Sequence, residues 1–438
     1  MRHDMRWMVL AAGVMALASA EAAEAGGFLL REQSTIGMGQ AFAGAAAGEA
    51  GLGSMYWNPA TLTGNPGAQV EAGVAGLFPF ADVTPATGTS PLLLRFGGSA
   101  ASGDIVGDAA LPSGYASYQL SDRLFVGLAA NSPFGLSTSY PDDYAGQIYA
   151  RASEVRSFDL NPNAALAVND WLSLGVGIRA VYFKTELSQA VSPLPGAPSA
   201  KLDGDDWGIG MTAGLTLKPM EGTEIGVGFR SSVAETLRGS LALGGPVGRL
   251  PAGAYAVEAA LDLPEQVTVG LHQALAPDLG LNAGFEWTNW SRLGSVPAVG
   301  TSGPTRGLTL TELPFRYKDG YYASVGADYR WNDALTVRAG AGYEWSPIDT
   351  SNRDLRLPDS DRVHLNVGLG YRWTENLSVD LAYSHIFTVG DGDVELTAGN
   401  PHYVTGLPFV GNVEARVDTV SAGLTYRFDA EGKTARRF

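Results

Sequence analysis

The sequence contains no cysteine, which excludes both a disulfide framework and a thiolate metal site. Basic residues are few: 29 Lys and Arg stand against 45 Asp and Glu, giving a formal net charge of −16. Nucleic-acid binders need a basic surface, so no nucleic-acid partner is expected. Charged residues make up only 17% of the 438 residues and aromatic residues 10%, which argues against disorder. The composition therefore predicts a folded chain with an acidic, solvated exterior.

Long hydrophobic runs are also missing, since no segment has the roughly 20 apolar residues that a membrane-spanning helix needs. A shorter apolar run, residues 7–18, follows Arg2 and Arg6 and precedes the small-residue sequence Ala23-Glu24-Ala25. This order is typical of a secretory signal peptide, here residues 1–25. A short membrane anchor is the alternative, but the run is too short for one. An exported chain without spanning helices can enter a membrane only as a closed barrel.

From about residue 70 onward, apolar side chains alternate with polar or small ones. In 335–345, Leu, Val, Ala, Ala, Tyr and Trp occupy the odd positions, while Thr, Arg, Gly, Gly and Glu occupy the even positions. The same alternation recurs at 172–180, 279–287, 323–331, 363–373, 377–383 and 420–428. A period of two is the signature of a β-strand, so the sequence predicts an all-β protein.

Alternation alone does not say which face meets water, because a soluble β-sandwich has the same pattern. Many of these segments reach about ten residues, which is longer than the usual strands of soluble sheets. Aromatic residues such as Tyr329 and Trp331 gather at segment ends on the apolar face, as at membrane interfaces. The polar face suits a wet or plugged lumen, because it carries charges among glycines: Arg179, Arg230, Arg338, Glu344 and Arg372.

The connections between the segments fall into two classes. Six are tight turns, near residues 121–122, 169–170, 219–222, 277–278, 332–333 and 374–376. Seven are long and rich in Gly and Pro, near 80–112, 134–153, 190–205, 243–256, 291–315, 346–360 and 388–413. Outer-membrane barrels have short periplasmic turns and longer external loops. Six turns and seven loops join fourteen strands, so the fold is predicted to be a 14-stranded antiparallel transmembrane β-barrel.

Residues 26–66 precede the barrel, are rich in Gly and Ala and lack strand alternation. A lumen of fourteen strands is too wide for wall side chains alone to fill. This segment is therefore predicted to plug the barrel, with a flexible periplasmic leader as the alternative. Residues 67–428 are then the barrel, and residues 429–438 are a C-terminal tail.

Short motifs are spread along the whole mature chain. They are Gly26-Gly27-Phe28, Glu32-Gln33-Ser34, Gly37-Met38-Gly39, Ala41-Phe42-Ala43-Gly44, Tyr56-Trp57-Asn58-Pro59-Ala60, Pro133-Phe134-Gly135-Leu136, Leu160-Asn161-Pro162-Asn163, Leu263-Pro264-Glu265, Trp287-Thr288-Asn289-Trp290-Ser291, Asn352-Arg353 and Leu357-Pro358-Asp359-Ser360-Asp361-Arg362. In aggregate the chain resembles the FadL family, outer-membrane transporters of long-chain fatty acids and, in relatives, aromatic hydrocarbons.

The resemblance implies that residues 26–66 form an N-terminal hatch closing the lumen. It also implies a greasy groove among the outer loops, an inner pocket beside Phe28, and a sideways exit at a kinked strand near the hatch. The implied partners are a hydrophobic ligand, outer-membrane lipid and lipopolysaccharide, and the barrel-assembly machinery during biogenesis, with the protein itself a monomer. Family chains end on an aromatic assembly signal, a place that either Phe428 or Phe438 fits.

Candidate functional residues follow from this picture. The predicted ligand-binding residues are Phe28, Phe134, Leu136, Tyr144 and Ile148, with Arg151, Arg156 and Lys318 as candidate cations for an acidic head group. The predicted gating residues of the hatch are Asn58, Pro59 and Ala60. For any single loop aromatic, packing between loops is the alternative, and an inward Arg in a barrel commonly pairs with lumen acids.

The expected function is passive transport of hydrophobic molecules, without a cofactor or a metal and without enzymatic activity. No phosphate-cradling G-x-x-x-x-G-K-S/T motif is present, and the five histidines lack H-E-x-x-H spacing. The glycines of 208–214 are better explained as inward barrel glycines than as a dinucleotide loop. Two competing hypotheses are a non-selective porin, which needs an open lumen, and an outer-membrane lipase, which needs a Ser/His pair on one face.

Overall fold

The computed structural model describes residues 27–96, 101–390 and 392–428. The predicted signal peptide, the C-terminal tail and Phe438 lie outside the described residues, so those assignments stay predictions. None of the helices in the described part of the chain is long and apolar enough to cross a membrane.

Fourteen antiparallel strands form one closed wall. In chain order they are β1 (Ala68–Pro85), β2 (Ala109–Gln119), β3 (Leu124–Asn131 and Gly135–Ser139), β4 (Ala152–Ala167), β5 (Leu172–Ala190), β6 (Ser199–Met220), β7 (Thr223–Arg230 and Val233–Leu243), β8 (Gly253–Leu263 and Gln266–Ala276), β9 (Leu279–Thr288), β10 (Gly320–Arg330), β11 (Leu335–Trp345), β12 (Arg362–Arg372), β13 (Leu377–Thr388) and β14 (Phe409–Arg427). The predicted strand number is therefore confirmed.

Each strand pairs with its neighbours in sequence, and β14 pairs with β1 from Gln69↔Arg427 to Pro85↔Gly411, which closes the cylinder. Closure leaves neither the first nor the last strand with a free edge, where unpaired backbone groups facing lipid would be costly. All six predicted turns and all seven predicted loops separate consecutive strands, although β6 begins at Ser199, inside the predicted 190–205 loop. The loops contain a short helix, α2 (Pro91–Phe96), a hairpin of Ser295–Gly300 with Thr309–Pro314, and a short strand, Val394–Leu396.

The two faces of the wall have the predicted polarity. Apolar residues such as Val325 and Leu365 point outward and are exposed, while Arg179 and Glu344 point inward and are buried. Exposed aromatic residues ring both ends of the outer face: Tyr329, Trp331, Tyr371 and Trp373 near the short turns, and Trp207, Tyr321, Trp345 and Phe387 near the loops. Apolar side chains outside and charges inside exclude the soluble sandwich and fit a lipid-facing wall. Of the predicted inward charges, only Arg372 is exposed, at the turn end of β12.

The N-terminal segment lies inside the cylinder, as expected for a hatch. It folds into one helical turn, α1 (Thr35–Met38), and three 3₁₀ segments, Ala45–Ala47, Gly51–Tyr56 and Pro59–Gly64. Nearly all of its side chains from 28 to 62 are buried. A flexible periplasmic leader would be exposed, so that alternative is wrong.

Glycines on the inner face of the wall make room for the backbone of the hatch. A Cβ on Gly228 would lie 1.8 Å from the carbonyl oxygen of Trp57, and one on Gly226 would lie 1.7 Å from that of Ala46. No side chain can occupy such a space, so the hatch packs directly on the strand backbone. The inward glycines that the sequence shows on the polar face are therefore explained by hatch packing as well as by strand pairing.

We expect Gly228→Ala to push the hatch away from β7, because the added methyl group collides with the hatch backbone at Trp57. Overpacking of this kind costs about 1–3 kcal/mol of unfolding free energy. Thermal unfolding of the purified protein in detergent should show a lower midpoint, and planar bilayers should show increased ion conductance. Gly294→Ala is the matched control, because a Cβ there meets nothing within 4 Å. Identical behaviour of the two variants would contradict tight hatch packing.

Candidate ligand-binding site

An apolar pocket lies above the hatch, between the wall and the outer loops, with a volume of about 90 Å³. Its lining comes from the hatch, from strands β3 to β8 and from three loops: Phe28, Leu136, Val155, Phe183, Thr185, Leu187, Leu202, Asp203, Gly204, Leu237, Val257, Ala259, Leu261, Val296, Leu313, Phe315, Tyr317, Asp354, Arg356, Leu357 and His402. Every second residue of a strand points inward, and in this outer part of the wall most of those inward residues are apolar. Nearer the short turns they are small or charged.

Phe28 is the aromatic centre beneath this pocket. Its ring centroid lies 4.7 Å from that of Trp290, 5.9 Å from Phe134 and 6.1 Å from Phe183, all in tilted or edge-on geometry. Such arrangements stabilise aromatic clusters beyond the burial of area alone. The first residues of the described chain are thus held in the floor of the pocket by its own walls.

A second, larger cavity of about 340 Å³ lies further out among the loops. The two cavities share four lining residues: Leu313, Asp354, Arg356 and His402. The outer cavity is also lined by Ile148 and Tyr149. These shared residues form the boundary between a polar vestibule and the apolar pocket.

Arg356 is the cation at this boundary. Its guanidinium donates to Gln189 Oε1 at 2.5 Å and to the Ser188 carbonyl oxygen at 3.2 Å. The Asp354 carboxylate instead accepts from the backbone amides of Arg356 and Leu357 and approaches His402. Burial lowers the pKa of the Arg356 guanidinium from its ordinary value, and the nearby Asp354 carboxylate compensates only part of the lost hydration. An anionic group arriving here would supply that compensation.

The predicted ligand residues divide between two places. Phe28, Phe134 and Leu136 belong to one buried cluster at the pocket. Tyr144 instead packs in the loop core, stacked on Tyr140 with centroids 5.0 Å apart and donating to the Val83 carbonyl oxygen. Ile148 borders the outer cavity. For Tyr144, packing between loops therefore describes the observed contacts.

The structure brings none of the three predicted cations into the pocket lining. Arg151 is buried but bonds to Ser199 Oγ and Gln147 Oε1. Arg156 lies on the outer face of β4 beside Glu154, because the inward residue there is Val155. Lys318 is exposed and pairs with Asp349. In the first outer loop, the helix α2 carries three consecutive leucines, of which Leu93 is buried and Leu92 and Leu94 are exposed.

The wall is interrupted beside the pocket. β3 breaks between Asn131 and Gly135, and its ladder with β2 covers only Gly114↔Ala130 to Gln119↔Phe125, so β2 residues 109–113 have no partner in β3. The start of the hatch docks at this break. Leu30 N donates to the Pro133 carbonyl oxygen at 2.8 Å, and Gly135 N donates to that of Phe28 at 2.9 Å. The kinked strand that the resemblance implies is therefore β3.

Comparison with known proteins agrees with this architecture. The sequence matches the family described as outer membrane protein transport protein (OMPP1/FadL/TodX) over residues 16–428. The chain belongs to the FadL family. It is 29% identical over 420 residues to the long-chain fatty acid transport protein of Escherichia coli O6:H1, a match that covers 86% of this chain and 92% of the relative.

Solved structures of the family share the fold. A FadL homologue of Pseudomonas aeruginosa superimposes with a TM-score of 0.80 at 23% identity, covering 92% of this chain and 100% of the other. The toluene transporter TbuX of Ralstonia pickettii superimposes with a TM-score of 0.66 at 20% identity, covering 90% and 98%. This FadL-family chain is thus an outer-membrane β-barrel closed by its own N-terminal segment.

Sequence reasoning missed several pocket residues of this FadL-family chain. Arg356 and Trp290 lie within or beside motifs that carry the resemblance, yet nothing in one sequence separates them from neighbouring polar and aromatic residues. Phe183 had a usable signal, because it is a large aromatic at an inward position of β5, where the inward residues below Val181 are arginine, glycine and serine. A large inward apolar residue in a barrel strand marks a pocket.

Behind the pocket, a buried ion-pair network holds the hatch to the wall. Arg31 Nη1 lies 2.6 Å from Glu286 Oε1, and Nη2 lies 2.8 Å from Glu344 Oε1. The guanidinium also sits 3.9 Å from the ring centroid of Tyr322, and His364 bonds to Glu344. One hatch residue thereby bridges β9, β10 and β11.

Arg31→Met should therefore destabilise the folded protein strongly, since it leaves two buried carboxylates without their cation. Loss of one partner of a buried pair typically costs about 3–5 kcal/mol. Lys318→Met removes an exposed pair, for which about 0–1 kcal/mol is expected. Urea unfolding of both variants in detergent measures the difference. Equal losses would contradict a structural role for the Arg31 network.

Proposed function

We propose that this protein carries hydrophobic small molecules, long-chain fatty acids in the first place, passively across the outer membrane. The observation that carries the proposal is an apolar pocket that has the hatch as its floor and a guanidinium, that of Arg356, at its outer end. An amphipathic ligand with one acidic end fits this distribution of polarity. The relatives named as long-chain fatty acid transport proteins are also more similar in sequence than the toluene transporter structures.

Simple energetics support a pocket with sideways release. Burial of each CH₂ group contributes about 0.8 kcal/mol, so an apolar pocket captures an alkyl chain readily and releases it to water poorly. The bilayer interior is as apolar as the pocket, so release into lipid has little cost in hydration. Net movement can then follow the concentration gradient without an energy source.

The proposed route begins in the outer cavity, where Ile148 and Tyr149 meet the ligand. The acidic head group then binds Arg356 while the chain enters the pocket beside Leu136 and Phe28. Exit occurs through the break in β3, after Phe28 and Leu30 release their backbone bonds to Gly135 and Pro133. This route assigns the lateral opening to the gap between β2 and β3.

We assign Asn58, Pro59 and Ala60 to anchoring the hatch during this movement. Asn58 Nδ2 donates to the carbonyl oxygens of Ala46 and Leu215, at 2.7 and 2.9 Å, and Asn58 Oδ1 caps the following 3₁₀ segment. These bonds tie the hatch to both itself and β6. Replacement of the three residues is expected to alter uptake without stopping assembly.

Specific observations weigh against the two competing hypotheses. A porin needs an open lumen, but the hatch fills this one along its inner wall. A lipase needs a serine and a histidine that face each other, and the adjacent residues Ser384 and His385 do not supply this pair, because Ser384 points inward from β13 and His385 points outward to Asp418.

The proposal predicts that cells lacking this gene take up radiolabelled oleate more slowly, and that the intact gene restores uptake. Arg356→Gln should reduce oleate uptake roughly tenfold, since a charge-assisted hydrogen bond contributes about 1.5–3 kcal/mol. Toluene uptake should change little, because toluene has no anionic group.

Arg156→Gln is the matched control, since Arg156 lies on the outer face of the wall and should leave both uptake rates unchanged. Equal loss of oleate and toluene uptake in Arg356→Gln would contradict head-group binding. Oleate uptake that does not depend on the gene would overturn the proposed function itself.

The lateral exit can be tested with a reversible lock, because the chain has no native cysteine. Leu29 and Phe134 are antiparallel bridge partners in a non-hydrogen-bonded pair, whose Cα separation of about 4.5 Å suits a disulfide. The double variant Leu29→Cys/Phe134→Cys should transport less when oxidised than when reduced. The reduced form of the same variant controls for the lost side chains, and equal rates in both forms would rule out this exit.

A further inference from the structure

Three potential metal ligands converge at the end of the hatch nearest the short turns, away from the pocket. Glu49 belongs to the hatch, His272 to β8 and Asp328 to β10. One donor atom from each lies within 4.8 Å of the other two, and all three residues are partly exposed. Glu49 precedes both wall residues by more than 200 residues of sequence, so only folding of the hatch into the barrel brings it to them.

We propose that Glu49, His272 and Asp328 form a binding site for a divalent transition-metal ion such as Zn²⁺, which ties the hatch to the barrel wall. One imidazole with two carboxylates is a donor set that such ions accept. Ligand atoms about 2.0–2.2 Å from the ion lie about 3–4 Å from one another, so small side-chain rotations would complete the site. Glu49 Oε1 lies 3.5 Å from His272 Nδ1, so the carboxylate stands beside the imidazole ring whose other nitrogen, Nε2, would bind the ion.

The hydrogen bonds of Asn282 orient the histidine for this role. The Asn282 amide nitrogen donates to Gln40 Oε1 at 2.8 Å and to Asp328 Oδ1 at 3.1 Å. Its oxygen is therefore the acceptor for His272 Nδ1, at 2.8 Å. A neutral ring held in this way carries its proton on Nδ1 and leaves the Nε2 lone pair open. Metal-binding histidines typically donate their other ring N–H to a fixed acceptor in the same manner.

The surrounding charges also favour a cation. Arg338 lies opposite Asp328 in the β10–β11 ladder, but its guanidinium pairs with Asp380 at 2.9 Å. Within the described ranges, the only residue that donates a hydrogen bond to the Asp328 carboxylate is thus a neutral amide. Partial exposure lets an ion enter from water, while the wall fixes two of the three ligands.

A bound ion would add a third kind of hatch anchor beside the Arg31 network and the Asn58 hydrogen bonds. It would act at the opposite end of the hatch from Phe28 and the break in β3. The site does not depend on the proposed transport function, since metal binding and hatch mobility can be measured without a hydrophobic ligand.

Isothermal titration of Zn²⁺ into the purified, chelator-treated full-length protein in detergent tests the proposal. One ion per chain should bind, and His272→Gln should weaken the affinity at least tenfold. His385→Gln is the control, because His385 lies on the outer face beside Asp418 and should leave this binding unchanged. Absence of binding at millimolar Zn²⁺, or unchanged affinity in His272→Gln, would overturn the site.

A second variant and a second readout keep the test independent of folding defects. Glu49→Gln alters the hatch and no wall residue, so the barrel should assemble even if His272→Gln fails to. Zn²⁺ should slow amide hydrogen exchange of hatch residues around Glu49 in the unaltered protein and not in Glu49→Gln. Equal slowing in the unaltered protein and in Glu49→Gln would show that the ion binds elsewhere and would refute the proposed site.

Discussion

The structure depends on one constraint, which is the need to pair every backbone group of a wall that faces lipid. Closing fourteen strands meets that need without leaving an edge, but it creates a lumen that wall side chains cannot fill. The hatch fills this lumen. It packs so closely that its carbonyl groups occupy the places where inward residues such as Gly226 and Gly228 lack a Cβ. The wall and the hatch therefore specify each other.

The same constraint separates two inner environments. In the lower lumen, inward charges such as Arg179, Arg230 and Asp159 bond to one another and to the hatch. Burying such charges is tolerable only when each finds a partner. Above the hatch, inward positions turn apolar, and a pocket forms because no backbone segment fills the space there. The position of the hatch thus determines where a hydrophobic ligand can bind.

Much of this architecture could be predicted from sequence, and the reason is geometric. In the membrane, the outer face must be apolar and the inner face polar or small, so the sequence of each strand shows which of its residues face the lipid. That rule predicted the strands and the inward position of Arg338, and the count of short turns and long loops between the strands gave their number. It fails above the membrane, where both faces meet water. Arg156 was predicted to bind a ligand because it is a cation near a loop–barrel junction, whereas its position in β4 turns it outward.

The cation of the pocket could not be predicted for a different reason. Arg356 lies in a loop that reaches the pocket by tertiary packing, and no local periodicity encodes that approach. Phe28 was predicted because the resemblance places the hatch start at the pocket, and Phe134 and Leu136 were predicted as capture residues of the second outer loop; the structure places all three in one cluster. A single sequence does not show which loop residues pack around this cluster once the barrel has closed.

The strength of the different hatch contacts determines which part of the hatch can move. A hydrogen bond contributes about 1 kcal/mol net, whereas breaking a buried ion pair costs about 3–5 kcal/mol. Removal of the whole hatch would break the Arg31 network and the Asn58 bonds together, a cost comparable with the stability of an entire domain. Residues 28–30 are held to the β3 break by two backbone hydrogen bonds and by apolar contacts. An incoming alkyl chain can replace those apolar contacts with its own. Local displacement of residues 28–30, with the rest of the hatch fixed, is therefore the movement that the energetics of this fold allow.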